Sequence, residues 1–137
     1  MIGALAGVAV AAAMIVVALL LPFERRSQLF ALLLVAAAAI YSGAELAGGV
    51  VTTTGLSFFA VFLMAALFGI DRPGLLGMVW FGHAIWDAFH YTGALPTRLP
   101  ADYQIACFAA DIVWAVWLFS LRPRRGVAQQ EAPGPRT

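Results

Sequence analysis

The chain has 137 residues, 63% of them hydrophobic and only 11% charged, with a formal net charge of +1. A soluble domain carries about a quarter charged residues, so water is the wrong solvent; the net charge says little about nucleic acid, but no basic aromatic patch occurs and no nucleic-acid partner is expected. A single cysteine, Cys107, excludes an intrachain disulfide and any Cys-based zinc or redox motif.

Apolar runs of roughly 20 residues, enough to cross ~30 Å of hydrocarbon as helix, recur along the sequence. The expected class is all-α: a polytopic membrane bundle of five transmembrane helices. It occupies 1–122 as one unit, followed by a polar, Gly- and Pro-containing tail at 123–137 that is expected to be disordered. The first span, about 2–21, ends at Pro22. It lacks a basic leader region and is expected to be retained rather than cleaved. Gly3, Gly7 and Ala11 fall at four-residue spacing, which lets a neighbouring helix come close; ordinary alanine-rich filler is the alternative. The second span, about 28–47, ends at Gly48-Gly49 and clusters Tyr41, Ser42 and Glu45 on one side. The third, about 56–70, is short unless "VVTTT" belongs to it, and Thr52–Thr54 read as loop or helix-start residues.

The fourth span, about 74–92, opens after "DRP", with Asp71 expected as a cap and Pro73 in the first turn. It holds "WFGHAIWDAFHYTG", with the chain's two histidines. His83, Asp87 and His90 are spaced i, i+4, i+7, which at ~100° per residue gathers them into a sector of about 60°. Trp80 and Tyr91 lie near the same stripe. The fifth span, about 103–121, is expected to be capped by Asp102 and to end at Pro123. It carries Gln104, Cys107, Asp111 and Trp114 on one stripe.

Five spans put Arg25, Arg26, Arg72 and the tail arginines on one side and only Arg98 on the other. Arginine accumulates on the cytoplasmic side. The N-terminus is therefore expected outside and the C-terminus inside, in a multi-pass protein of the inner (plasma) membrane. With that orientation His83 lies about nine residues, or ~13 Å, below the outer end of its span, and Asp111 ~12 Å below the same surface. Asp87, His90 and Glu45 come out shallower. All five groups fall in the outer half of the bilayer.

A carboxylate near the centre of a membrane helix costs roughly 2.5–3.5 kcal/mol. Three acids and two imidazoles must therefore meet each other, water or an ion. Imidazole and carboxylate suit a divalent metal ion such as zinc or iron, with His83, Asp87, His90 and Asp111 as ligands. Glu45, Tyr41, Trp86, Tyr91 and Trp114 are the candidate ligand-binding residues around it. A metal keeping one open position would activate water, for hydrolase or oxidoreductase chemistry on a lipid-soluble substrate. No HExxH is present. Two readings stand beside this one. In the first, a metal-free pocket or proton relay runs along Asp87, His83 and Asp111; it stops at mid-membrane, because spans one and three offer no carboxylate or imidazole. In the second, the chain is a structural or assembly subunit whose His and Asp contacts hold helices together. Cys107, Trp114 and Trp117 also read as packing residues, and Tyr91 and Tyr103 fit an outer aromatic belt. The expected partners are the lipid bilayer and, since so short a chain encloses little, further copies of itself.

The run "GHAIWDAFHY" followed by "LPADYQIACFAADIVWAVWL", with a weaker echo at "AAIYSGAEL", resembles a family of small uncharacterised bacterial multi-pass membrane proteins carrying G-H-x-x-x-D-x-x-H. The resemblance covers about the last third of the chain. It implies a motif helix in the penultimate span, a Pro-containing loop and a final span bearing an Asp. A second histidine often follows the last one in that pattern; here the position is Tyr91. The motif bears a faint likeness to seven-span membrane hydrolases with buried His and Asp metal ligands. Their span count and the Ser-containing part of their motif are not matched here.

Overall fold

The computed structural model describes residues 1–49 and 52–121. Five α-helices follow one another, and no strand occurs among the described residues: α1 (Ile2–Leu19), α2 (Phe23–Ala47), α3 (Thr53–Gly69), α4 (Pro73–Tyr91) and α5 (Ala101–Ser120). The tail expected at 123–137 lies outside the described residues. Helices α1, α2 and α5 are each long and apolar enough to cross a membrane, and α3, with 17 residues, is a shorter apolar helix. Helix α4 has 19 residues, and its own His83, Asp87 and His90 dilute its hydropathy. Leu5, Val16, Leu32, Val61, Phe68, Met78 and Val116 are among the large apolar side chains left on the outer surface, which suits a lipid environment.

The helix boundaries follow local chemistry, with some departures from expectation. Helix α2 begins five residues earlier than expected, at Phe23, and takes in Glu24, Arg25 and Arg26. The acidic residue in the first turn opposes the positive end of the helix dipole. Pro22 has no N–H to lose there and forms the N-cap. At α3 the Thr52 hydroxyl accepts from the Gly55 N–H at 2.9 Å, which satisfies one of the free donors at a helix start. Two expected caps are corrected. Arg72, not Asp71, is the N-cap of α4, with Pro73 in the first turn as expected; Pro100 caps α5, and Asp102 sits in its first turn. Proline fixes the extended-to-helical turn in both places, so a side-chain acceptor is dispensable.

Successive helices run in opposite directions. At one end Gly3 of α1 meets the Asp102 carbonyl of α5, and Gly48 lies under the Arg98 side chain. At the other end Phe23, Glu24, Asp71, Pro73 and Leu121 surround one cavity of about 170 Å³. Helix α4 packs mainly on α5, α5 on α1, and α2 on α3, with α4 also touching α2 and α3. The Gly3, Gly7 and Ala11 stripe is buried against α5. A Cβ on Gly3 would sit 2.6 Å from the Asp102 carbonyl oxygen, and one on Gly7 would overlap that of Ala106. The close approach lets the Trp114 indole N–H reach the Ala11 carbonyl at 3.2 Å. Across the bundle the Trp80 N–H donates to the Phe30 carbonyl at 3.2 Å. Trp80 packs edge-on against Trp114 at 4.7 Å, and both belong with Leu34, Leu76 and Leu118 to the buried apolar core.

Candidate metal centre

Helical spacing on α4 turns His83 and Asp87 toward the bundle axis one turn apart, and both are fully buried. Asp111 comes to them from α5 and Tyr41 from α2. The Tyr41 hydroxyl donates to Asp87 Oδ1 at 2.6 Å. His83 Nδ1 lies 2.7 Å from Asp111 Oδ2 and 3.9 Å from Asp87 Oδ2. With its proton on Nδ1, His83 donates to Asp111 and presents the Nε2 lone pair. Among the described residues neither His83 Nε2 nor Asp87 Oδ2 has a hydrogen-bond partner, although both atoms are buried. Phe62 of α3 closes over the imidazole edge-on at 4.9 Å, and Trp80 does so at 6.0 Å.

One ligand atom from each of His83, Asp87 and Asp111 lies within 4.8 Å of the other two, so this group can hold a metal ion. Ligands on a tetrahedral ion at about 2.0–2.2 Å sit roughly 3.5 Å apart, so the side chains need close by only about 1 Å. The surroundings are those of a supported site. Asp111 Oδ2 and Asp87 Oδ2 both approach the Nδ1 side of His83, and the second oxygen of Asp87 is held by a phenol.

The expected ligands divide. His83, Asp87 and Asp111 come together; His90 is 6% exposed but stands outside that group. Its Nδ1 donates to the Leu95 carbonyl at 3.1 Å. A carbonyl can only accept, so the proton is on Nδ1 and Nε2 is an acceptor with no partner among the described residues. Positive φ at Gly93 turns the chain after α4 and brings Leu95 back over the helix end. The Tyr41 ring stacks on His90 at 4.6 Å, and Trp86 meets it edge-on at 4.7 Å. Glu45 lies at the junction of α2 and α3, where its Oε2 accepts from the Thr52 N–H at 3.1 Å and the Thr52 hydroxyl at 2.9 Å. Tyr91 is half-exposed, and the only polar side-chain atom of Trp114 is committed to Ala11. Sequence reasoning did not single out Phe62, since nothing in the uniformly apolar α3 marks one phenylalanine above another.

This is a helical protein with an enclosed His–Asp–Asp group among helices suited to a membrane. Residues 2–124 match DUF6010, a family of unknown function, and the chain belongs to that family. No curated protein and no solved structure matches it.

Proposed function

We infer that this is an integral membrane protein whose His83, Asp87 and Asp111 bind one divalent transition-metal ion, zinc or iron, inside a five-span bundle. The N-terminus and the 92–100 loop face outward, the arginines at 25, 26 and 72 face the cytoplasm, and residues 123–137 form a cytoplasmic tail. The membrane is the plasma membrane. One observation carries the metal reading: His83, Asp87 and Asp111 are enclosed together with one ligand atom from each within 4.8 Å of the others, and among the described residues Asp87 Oδ2 has no hydrogen-bond partner. An unsatisfied buried polar group costs about 1–3 kcal/mol, and two carboxylates enclosed together cost more. A cation resolves both deficits at once. Three protein ligands would leave one position of a tetrahedral ion for water, which is the arrangement that supports hydrolysis.

A structural role is the second reading, and two hydrogen bonds favour it. Tyr41 to Asp87 ties α2 to α4, and His83 to Asp111 ties α4 to α5. Elemental analysis of chelator-free protein separates the two. About one equivalent of zinc or iron in the wild type, lost in His83→Ala and in Asp87→Asn while both variants insert and stay monodisperse, supports the metal. Wild-type protein without stoichiometric metal, whose variants unfold, would leave packing as the role of the group.

A further inference from the structure

Glu45 and Arg98 take no part in the metal group, yet both line one cavity. It holds about 230 Å³ and is lined by Glu45, Thr52, Pro96, Thr97 and Arg98. Each charge has its own support. Glu45 Oε2 accepts from the N–H and the hydroxyl of Thr52, which fixes the carboxylate at the α2–α3 junction. Arg98 lies on the loop between α4 and α5, and that loop is tied at both ends. His90 Nδ1 donates to the Leu95 carbonyl at 3.1 Å, and the side-chain amide of Gln104 donates to the Leu99 carbonyl at 2.8 Å. Within the loop the Thr97 hydroxyl accepts from the Leu99 N–H at 3.2 Å. The Arg98 side chain lies across Gly48, the residue that ends α2, where a Cβ would overlap the guanidinium. The free carbonyls of a helix end carry partial negative charge, which favours a cation there. Opposite charges thus share one cavity, and among the described residues no ion pair joins them.

A cation brought to this cavity is attracted by Glu45 and repelled by Arg98, and an anion the reverse. A zwitterion gains from both. We propose that the cavity binds a free amino acid, its ammonium on Glu45 and its carboxylate on Arg98. A primary ammonium donates three hydrogen bonds, and a guanidinium fork matches a carboxylate with two parallel ones. Both charges are supported before the ligand arrives, which lowers the cost of ordering them. A water-soluble ligand is favoured over a lipid headgroup, because Pro96 is the one apolar side chain in the lining and leaves no wall for an acyl chain. On the orientation proposed above the cavity opens to the outside. The inference goes beyond the metal reading and is independent of it.

The test is isothermal titration of the full chain in phosphatidylcholine nanodiscs with glycine, β-alanine and 4-aminobutyrate, which hold the two charges at increasing distances. Acetate, methylammonium and trimethylglycine are the comparisons. The first two carry one charge each, and the third keeps both charges but its ammonium donates no hydrogen bond. The best of the three amino acids is expected to bind about tenfold more tightly than any comparison, the factor one charge-assisted hydrogen bond supplies. Glu45→Gln keeps an acceptor for Thr52 and removes one charge; Arg98→Gln removes the other. Gly48→Ala leaves both charges and pushes the guanidinium aside. Each is expected to lower the affinity about tenfold, whereas Asp102→Asn, an acid of α5 outside the lining, leaves it unchanged. Three results would each overturn the proposal: no binding of any amino acid, equal binding of acetate or of trimethylglycine, or an affinity that survives Arg98→Gln or Gly48→Ala in protein that unfolds at the wild-type temperature. So would retention of phosphatidylethanolamine in place of any amino acid. Metal content measured in the same samples keeps the two readings apart: metal without amino-acid binding sinks only this proposal, and amino-acid binding without metal sinks only the metal.

Discussion

Asp87 is the residue on which the site turns. One oxygen is held by Tyr41 at 2.6 Å and the other is bare among the described residues. Tyr41→Phe deletes the phenol with little change in shape. Hydrogen bonds between membrane helices are worth about 0.6 kcal/mol on average and ~1.7 at most, so the bundle is expected to survive with a small loss of thermal stability. Metal affinity should fall further, by about 10–100-fold, because the phenol orients a ligand oxygen. A metal titration of the two proteins checks this. Equal affinities would mean that Asp87 is not a ligand. Spacing along α4 revealed the shared face of His83, Asp87 and His90, but it carried no information on rotamers or on the fold of the following loop. Leu95 takes the Nδ1 proton of His90, and that residue stands outside the group around His83. No count of residues along a helix reveals that.

At the scale of the helix, α1 is the element whose role was least certain in the sequence and most specific in the structure. Its glycines carry no polar signature, and alanine-rich filler looks the same until the partner is known. The partner is α5: Gly7 faces the Ala106 carbonyl and Ala11 receives the Trp114 N–H. Gly7→Leu therefore forces the two backbones apart. Overpacking of this kind costs about 1–3 kcal/mol, and it should shift the position of Asp111 as well, since that residue follows Ala106 on the same helix, less than two turns away. Lower thermal stability in detergent together with weaker metal binding is expected. The control is Gly43→Ala, whose Cβ meets nothing and which gains about 0.5–1 kcal/mol of helix propensity. If Gly7→Leu unfolds no more readily than Gly43→Ala, the α1–α5 contact is not tight.

For the molecule as a whole, hydropathy made five helices legible, because long apolar runs broken by Gly and Pro leave few alternatives. Their adjacency was not legible: that α4 sits against three neighbours depends on tertiary packing that composition does not encode. The arginine asymmetry supports the proposed orientation. In a Cys107→Ala background, Ala101→Cys is expected to react with a membrane-impermeant thiol reagent on intact cells, and Glu24→Cys only after permeabilisation. The reverse pattern would invert the bundle. The proposal that α2, α4 and α5 converge on one enclosed ion is tested most directly by X-ray absorption at the edge of the metal that copurifies. The expected spectrum has a first shell of nitrogen and oxygen alone at about 2.0–2.2 Å, with the outer scattering of an imidazole that disappears in His83→Ala. A sulfur shell near ~2.3 Å, or a spectrum unchanged by that substitution, would place the metal elsewhere.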